Sequence, residues 1–346
     1  MAEATRIDGN TVVLPGGVRV RFMRTLRLPE TGTHGLPPGL GEFPVRAVQD
    51  YPHTAPQDWL RRGGVMLPVY LREAMWLSFA PEGGEPAALQ VGVGKVCAVS
   101  GEPWSDALTQ RPQNYVTLPR QPWLDGINSG NGTVRQFVAV PLGMGATVEG
   151  QVTGEEVWGG VQLQAFSLNP RARAAWLEEQ RRAREAAARR ARSMPSDGGY
   201  GGFGGPAAPG AAYGAPAPAQ PGAAMGMGAG GTMRQEVYRD ERPVSDWAPR
   251  PAGRVFVHLV TPPQWRRITG EAPPPSPVDR AAYTRAGLPW FEYYDQDGAD
   301  LAPPSSLESV QPVGEWLGAD HEPWQPPSPY QVKPLTPGQP VQDGDW

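Results

Sequence analysis

Cysteine and histidine are scarce in this sequence. It has one cysteine, Cys97, and four histidines among 346 residues. A single cysteine excludes an intramolecular disulfide framework, and four scattered histidines leave little for a zinc site. We therefore expect neither a bound metal nor a cofactor.

A large net charge and long apolar runs are also lacking. The 31 basic and 35 acidic residues give a net charge of −4, so the chain as a whole does not attract nucleic acid or an anionic membrane. The apolar runs fall well short of the roughly 18–20 residues of a membrane-spanning helix. The start, MAEATRIDGN, has no basic segment followed by an apolar core. The expectation is a soluble protein, cytoplasmic by default, with signal-independent export left open.

The common catalytic and nucleotide-binding motifs are missing as well. Gly92-Val93-Gly94-Lys95 is followed by Val96, where a phosphate-binding loop needs Ser or Thr. No GxSxG elbow and no HExxH pair occurs in the sequence. Nothing here therefore indicates a standard nucleotide site, a serine hydrolase or a zinc protease.

Glycine, proline and alternating apolar residues are what the sequence does have. Its 44 glycines and 42 prolines are roughly twice ordinary usage. Apolar and polar residues alternate from Val18 to Leu28, with Arg24 as a break that indicates a bulge or a strand end. Further strands are predicted at 89–99, 134–140, 148–153, 161–168 and 254–260. The fold class is mainly β: an antiparallel sandwich or barrel-like core with few short helices.

Changes in composition divide the chain into five parts. Residues 1–170 form a β-rich domain, and 171–192 form an exposed Arg-rich helix. Residues 193–231 are predicted to form a disordered Gly/Ala/Pro linker, because they cannot bury enough apolar surface to offset the entropy of ordering. Residues 232–310 are expected to complete the same β core. Residues 311–346 are expected to form a Pro-rich extended tail.

The Arg-rich helix has two interpretations. Its arginines exceed its glutamates by five over 171–192. Intrahelical Glu–Arg pairs would make it an ordinary solvated helix. Alternatively, it binds an anionic membrane surface, a nucleic acid or an acidic partner through Arg181, Arg182, Arg189 and Arg190.

Several phrases resemble a group of bacterial proteins of undetermined function. They are LPPGLGEFPV near the start, QPWLDGINSGNGTVRQFVAVPLGMG, AGGTMRQEVY and the stretch WRRITGEAPP through GLPWFEYYD. The resemblance covers most of the chain except 171–227. It implies that the two β segments belong to one recurrent unit, and it implies no activity or ligand.

The segment 122–156 is the candidate binding site. It combines a tryptophan platform with polar and charged side chains, as in pockets for polar small molecules or carbohydrates. The alternative is that Asp-Gly and Asn-Gly form turns over which Trp123 packs. The candidate ligand-binding residues are Trp123, Asp125, Asn128, Asn131, Arg135 and Glu149.

Other chemically active residues favour structural interpretations. Cys97 and His258 lie among apolar residues of predicted strands, which is typical of a buried thiol and a hydrogen-bonded core histidine. Asp295, Asp297 and Asp300 with Gly298 resemble part of a calcium loop, but the closing acidic residue is missing, so a turn is favoured.

Three functions follow, in order of support. The first is a non-catalytic binding or structural protein with an unknown protein, polar small molecule or carbohydrate as partner. The second is a hydrolase or lyase using two of Asp125, Glu149 and Glu155 as acid and base. The third is association with an anionic surface through the Arg-rich helix.

Overall fold

A computed structural model describes residues 4–193, 224–277, 280–285, 290–293, 300–302, 304–318 and 325–335. Most of the predicted disordered linker therefore lies outside the described residues.

Nineteen strands and seven α-helices form the described part of the chain. The strands of the first half are β1 (Arg6–Asp8), β2 (Thr11–Leu14), β3 (Val18–Thr25), β4 (Thr33–His34), β5 (Gly39–Glu42), β6 (Arg46–Ala47), β7 (Val65–Pro68), β8 (Ala74–Pro81), β9 (Ala87–Val93), β10 (Val96–Cys97), β11 (Val116–Leu118), β12 (Trp123–Leu124), β13 (Gly126–Gly130), β14 (Thr133–Pro141) and β15 (Val161–Ser167). The later strands are β16 (Met225–Arg234), β17 (Gly253–Val260), β18 (Trp290–Tyr293) and β19 (Val332–Leu335). The helices are α1 (Gln57–Arg62), α2 (Val148–Thr153), α3 (Pro170–Ser193), α4 (Pro262–Thr269), α5 (Arg280–Arg285), α6 (Ser305–Glu308) and α7 (Val313–Leu317).

Mainly antiparallel pairing joins 17 of these strands into one sheet, which confirms the predicted fold class. The sequence β1-β2-β3-β8-β14-β16 forms one continuous run of neighbours. A second run, β7-β17-β15-β9-β11, meets the first where β16 pairs with β17. β16 and β17 therefore lie in the same sheet as strands from before the Arg-rich helix.

The alternating residues form the core as their spacing predicts. In β3, Val18, Val20 and Phe22 are fully buried, as the side chains of one strand face should be. At the predicted break, the pairing of β3 with β5 shifts register between Met23 and Thr25. Arg24 is buried there and pairs with Glu73 at 2.6 Å.

One predicted strand, 148–153, is wrong, because these residues form helix α2. Thr147 caps its first turn by accepting a hydrogen bond from the Gly150 amide, and Gly154 ends it in the left-handed conformation. The alternation of Val148, Gly150 and Val152 resembles a strand, but the Thr cap and the Gly stop make a short helix.

The predicted disordered linker ends too late. Its last residues, from Met225 onward, belong to strand β16, which pairs along its length with β14. Glycine is needed in this strand for close packing: a Cβ on Gly231 would lie 2.1 Å from the carbonyl oxygen of Pro29. The same composition that suggests disorder therefore allows β16 to approach the backbone of the segment after β3 closely.

The prediction of an irregular tail from 311 onward is also wrong in part. Residues 313–317 form α7, and β19 pairs in parallel with β18. Pro312 precedes α7 as its N-cap, a position at which proline does not interrupt the helical hydrogen bonds. Proline at a helix start, and Pro334 within the short strand β19 of a two-stranded sheet, thus permit regular structure.

Helix α3 confirms the predicted Arg-rich helix, with bounds Pro170–Ser193. Its first turns contact the body of the protein, where Ala172 and Trp176 pack against Tyr115, Phe166 and Trp247. No helix of the described residues has the length and apolarity needed to cross a membrane.

Candidate functional site

Asp125, the first acidic residue of the predicted site, is buried and tied to a glutamine. Its carboxylate accepts a hydrogen bond from Gln235 Nε2 at 2.7 Å, and its amide donates to Gln235 Oε1 at 2.9 Å. Burial raises the pKa of Asp125 to about 7, although hydrogen bonds from Trp123 and Gln235 act in the opposite direction. The partly buried Trp123 packs against the main core. Asp125 therefore connects β12 and β13 to the chain after β16.

The loop residues of the predicted site lie in different surroundings. Asn128 is buried, donates to the Val99 carbonyl and accepts from the Gly130 amide. Asn131 adopts a positive φ of 53° at the β13–β14 turn. Arg135 is partly buried, and desolvation lowers its pKa. Of these three, Asn128 alone lines one of the clefts described here, a space of about 470 Å³ that also contacts Arg111 and Arg239.

Glu149 anchors a loop. Its carboxylate accepts hydrogen bonds from the amides of Val157, Trp158 and Gly159 at 2.8–3.2 Å. The side chain also packs against the turn at Gly94, where an added Cβ would lie 2.4 Å from it. Glu155 is exposed. The two buried carboxyls, Asp125 and Glu149, thus have separate structural partners.

A larger cleft of about 650 Å³ lies outside the predicted segment, and we refer to it as the cationic cleft. Four cations, one acid, three aromatic rings and three glutamines dominate its lining. These residues are Arg6, Arg62, Lys95, Arg254, Asp50, Trp104, Trp158, Phe256, Gln49, Gln162 and Gln164.

The floor of the cationic cleft is one face of three neighbouring strands. Gln164 of β15 lies opposite Gln90 of β9 and Arg254 of β17, and Gln162 lies opposite Gly92 and Phe256. Because strand side chains alternate, the intervening valines and leucines face the core while this polar row faces the cleft.

Gly92 makes room for one wall of the cleft. A Cβ at this position would lie 2.6 Å from the ring of Trp104. Trp104 is held at the backbone, where its amide donates to the Lys95 carbonyl at 2.8 Å. The glycine in β9 therefore lets an indole cover the end of the strand.

Lys95 occupies a strained turn at the edge of the cationic cleft. Gly94 and Lys95 form the two-residue loop between β9 and β10, with φ values of 57° and 65°. This turn geometry favours Asn or Gly, and a residue with a Cβ there costs about 1 to 2 kcal/mol. Gln162 supports the turn by accepting a hydrogen bond from the Lys95 amide at 2.8 Å.

Rings and cations alternate across the cleft. The Lys95 ammonium lies 5.7 Å from the ring centroid of Trp104 and 5.1 Å from that of Trp158. The Arg62 guanidinium lies 4.6 Å from the ring of Trp158 and 5.5 Å from that of Phe256. Cation–π contacts of this kind orient the charged groups without neutralising them. Because Glu149 fixes the backbone of Trp158, it positions one ring of this series.

The cationic cleft has more cationic than acidic side chains in its lining. Arg6 pairs with Glu82 at 3.3 Å. Arg62, Lys95 and Arg254 form no ion pair with a carboxylate among the residues that the structure describes. Burial lowers the pKa of Lys95; the charge of Asp106 opposes this, and Arg254 and Arg62 add to it.

A buried acceptor also remains unsatisfied at the cleft floor. Gln164 is fully buried and donates to Gln90 Oε1 at 3.1 Å. Its own Oε1 has no hydrogen-bond partner within the described part of the chain. An unpaired buried carbonyl is costly, and because this atom has almost no exposed surface a ligand in the cleft does not reach it in this arrangement.

The remaining candidate residues have structural partners. Arg181 pairs with Glu178 and Glu185, and Arg182 pairs with Glu178. The side chains of Arg189 and Arg190 lie outside the described residues. Asp300 accepts hydrogen bonds from the amides of Gly132 and Val237, whereas Asp295 and Asp297 are not among the described residues.

His258 and Cys97 are both buried. The His258 ring stacks on Trp59 with centroids 4.5 Å apart, and its Nε2 lies 2.9 Å from the Gly63 carbonyl oxygen. Burial lowers the pKa of His258 to about 4 and raises that of the Cys97 thiol. Both groups are therefore neutral near pH 7.

The sequence interpretation missed the cationic cleft because its residues come from five distant segments. Two local signals pointed to it: glutamine at alternate positions in an otherwise apolar strand, Gln162 and Gln164, and a lysine in a tight turn. Neither signal shows which other side chains the fold brings alongside.

Comparison with known proteins adds no homologue, because no family model, no curated protein and no solved structure matches the chain.

Proposed function

We propose that this is a non-catalytic binding protein whose cationic cleft holds a small organic anion, such as a carboxylate or phosphate attached to a sugar or an aromatic ring. The observation that supports the proposal most directly is the grouping of Arg62, Lys95 and Arg254 in one cleft without a carboxylate partner among the described residues.

The cleft supplies both parts of such recognition. Guanidinium and ammonium groups form strong charge-assisted hydrogen bonds with carboxylates and phosphates. Phe256 and Trp104 offer apolar surface to the body of the ligand. Cations that are already held against aromatic rings lose less freedom when the ligand binds.

Calorimetric titration of the full chain tests the proposal with charged and neutral ligands of matched shape. The pairs are glucuronate and glucose, benzoate and benzamide, and glucose 6-phosphate is titrated separately. We expect at least one anion to bind and its neutral counterpart not to bind. Arg254→Gln should weaken that anion about 10- to 100-fold, the range for a lost charged hydrogen bond.

Arg267→Gln is the matched control, because Arg267 is an exposed arginine that does not line the cleft. Its affinity should equal that of the unmodified protein. Equal weakening by both substitutions would indicate nonspecific electrostatics, and binding that ignores Arg254→Gln would contradict the proposed site.

The other two functions remain predictions from the sequence. A carboxylate-based hydrolase requires a pair of Asp125, Glu149 and Glu155 acting on one substrate. An anionic-surface role requires loss of binding when α3 is removed.

A further inference from the structure

Lysine is rare in this chain, and its placement is informative. Of the 31 basic residues only two are lysines, Lys95 and Lys333, and the others are arginines. Lys95 lies in the cationic cleft. Its positive φ of 65° is a conformation that gives a lysine no advantage over any other residue with a Cβ. An arginine would provide charge there equally well, whereas only a lysine provides a primary amine.

The surroundings of Lys95 are those of a reactive amine. The side chain is half-buried between two indoles, and Arg62 and Arg254 line the same cleft. Desolvation and nearby positive charge both favour the neutral amine, which is the nucleophilic form. The cation–π contacts stabilise the ammonium, and they also hold the nitrogen at one place in the cleft.

We propose that the Lys95 amine forms a reversible imine with a carbonyl group of the anion that the cationic cleft binds, that is, with an aldehyde or 2-oxo acid. This inference rests on the proposed function, because Arg62 and Arg254 hold the acidic group while Lys95 reacts with the carbonyl group.

The step needs no oxidant or reductant. The ammonium first loses one proton to solvent, and the neutral nitrogen adds to the carbonyl carbon to give a carbinolamine. The two protons that remain on nitrogen pass to the oxygen, which leaves as water as the C=N bond forms. Hydrolysis reverses the step and releases the ligand unchanged, so the protein acts as a covalent but non-catalytic binder.

Reductive trapping on the full chain tests the inference. The protein is incubated with glyoxylate or with 4-formylbenzoate, treated with borohydride, digested and mapped by mass spectrometry. We expect Lys95 to be modified at least tenfold faster than Lys333, which is exposed and serves as the internal control. Because burial lowers the pKa of Lys95, its rate should also reach half its maximum below the ordinary lysine value of 10.5.

Two variants and one analogue separate this inference from the proposed function. Lys95→Arg should abolish the modification at residue 95. Lys333→Arg should change neither that modification nor the affinity for terephthalate, an anion without a reactive carbonyl. Terephthalate binding without preferential modification of Lys95 by either aldehyde would overturn the imine and leave the binding function standing. If terephthalate does not bind and Lys95 is not preferentially modified, the imine is overturned. The calorimetric titrations with glucuronate, benzoate and glucose 6-phosphate then decide whether the cationic cleft binds an anion.

Discussion

At the scale of single residues, burial determines what the carboxylates of 122–156 can do. Asp125 is 3% exposed and bonded to Gln235. Glu149 is equally buried, but it accepts hydrogen bonds from three backbone amides. The first holds its proton near neutral pH, and the second stabilises the loop of Trp158.

The pH dependence of stability should reveal the Asp125 proton. The folded pKa of about 7 lies above the ordinary value of 3.8. The folded state therefore binds the proton more tightly than the unfolded state does. The resulting stabilisation is complete below about pH 4 and is lost as the pH rises to about 7. The loss is on the order of 4 kcal/mol.

Asp125→Asn should remove this contribution. Urea unfolding between pH 4 and pH 9 should show the free energy of unfolding of the unmodified protein falling more steeply from pH 4 to 7 than that of the variant. Parallel curves for the two proteins would show that Asp125 is ionised throughout or solvated in the folded state.

At the scale of elements, glycine allows close packing in β16, where Gly231 lies against the Pro29 carbonyl. Met225, Met227 and Ala229 of the same strand are buried in the core. A glycine-rich stretch with apolar residues at alternate positions therefore forms a strand when a partner such as β14 is present.

Gly231→Ala should destabilise the protein by about 1 to 3 kcal/mol, the usual cost of overpacking. The added methyl group would lie 2.1 Å from a backbone oxygen, which cannot move away as a side-chain end can. Thr232→Ala in the same strand is the control and should cost less. Equal denaturation midpoints for Gly231→Ala and the unmodified protein would mean that β16 does not pack there.

Alternating residues predicted β3, because a strand with one buried face requires period two, and Val18, Val20 and Phe22 illustrate this. The predicted strands at 89–99, 134–140, 161–168 and 254–260 contain β9, β10, β14, β15 and β17, whereas the short strands were not predicted. The helix at Val148–Thr153 was not predicted, because six residues are too few to distinguish the helical period of about 3.6 from the strand period of two. The cationic cleft was not predicted, because Arg62, Lys95 and Arg254 are brought together only by pairing between strands that are distant in the sequence.

At the scale of the whole molecule, the Arg-rich helix and the segment after it are an insertion between two strands of one sheet. β15 precedes the insertion and β16 follows it, and both belong to the sheet of 17 strands. The boundary at residue 224 therefore separates the insertion from the residues that the sheet requires.

Replacing residues on either side of this boundary should have different effects. A Gly/Ser sequence of equal length in place of 194–223 should leave the free energy of unfolding unchanged, because the Gly/Ala/Pro composition of this segment has little apolar surface to bury. The same replacement of 224–231 should lower it by more than about 3 kcal/mol, because two buried methionines and the pairing with β14 are lost. Denaturant unfolding measures both; a large effect of the first replacement would contradict the boundary.

The parallel pairing of β7 with β17 bears on how the chain is made. Val65 lies beside Val257, so the two partners are separated by 257 − 65 = 192 positions. At the usual speed of synthesis, the ribosome takes roughly 10 to 40 s to produce that interval. During this time, β7 has no β17 to cover its edge, and such an edge is open to pairing with other chains. The N-terminal half of the nascent chain therefore remains without β17, the strand that completes the floor of the cationic cleft, until that strand has been synthesised.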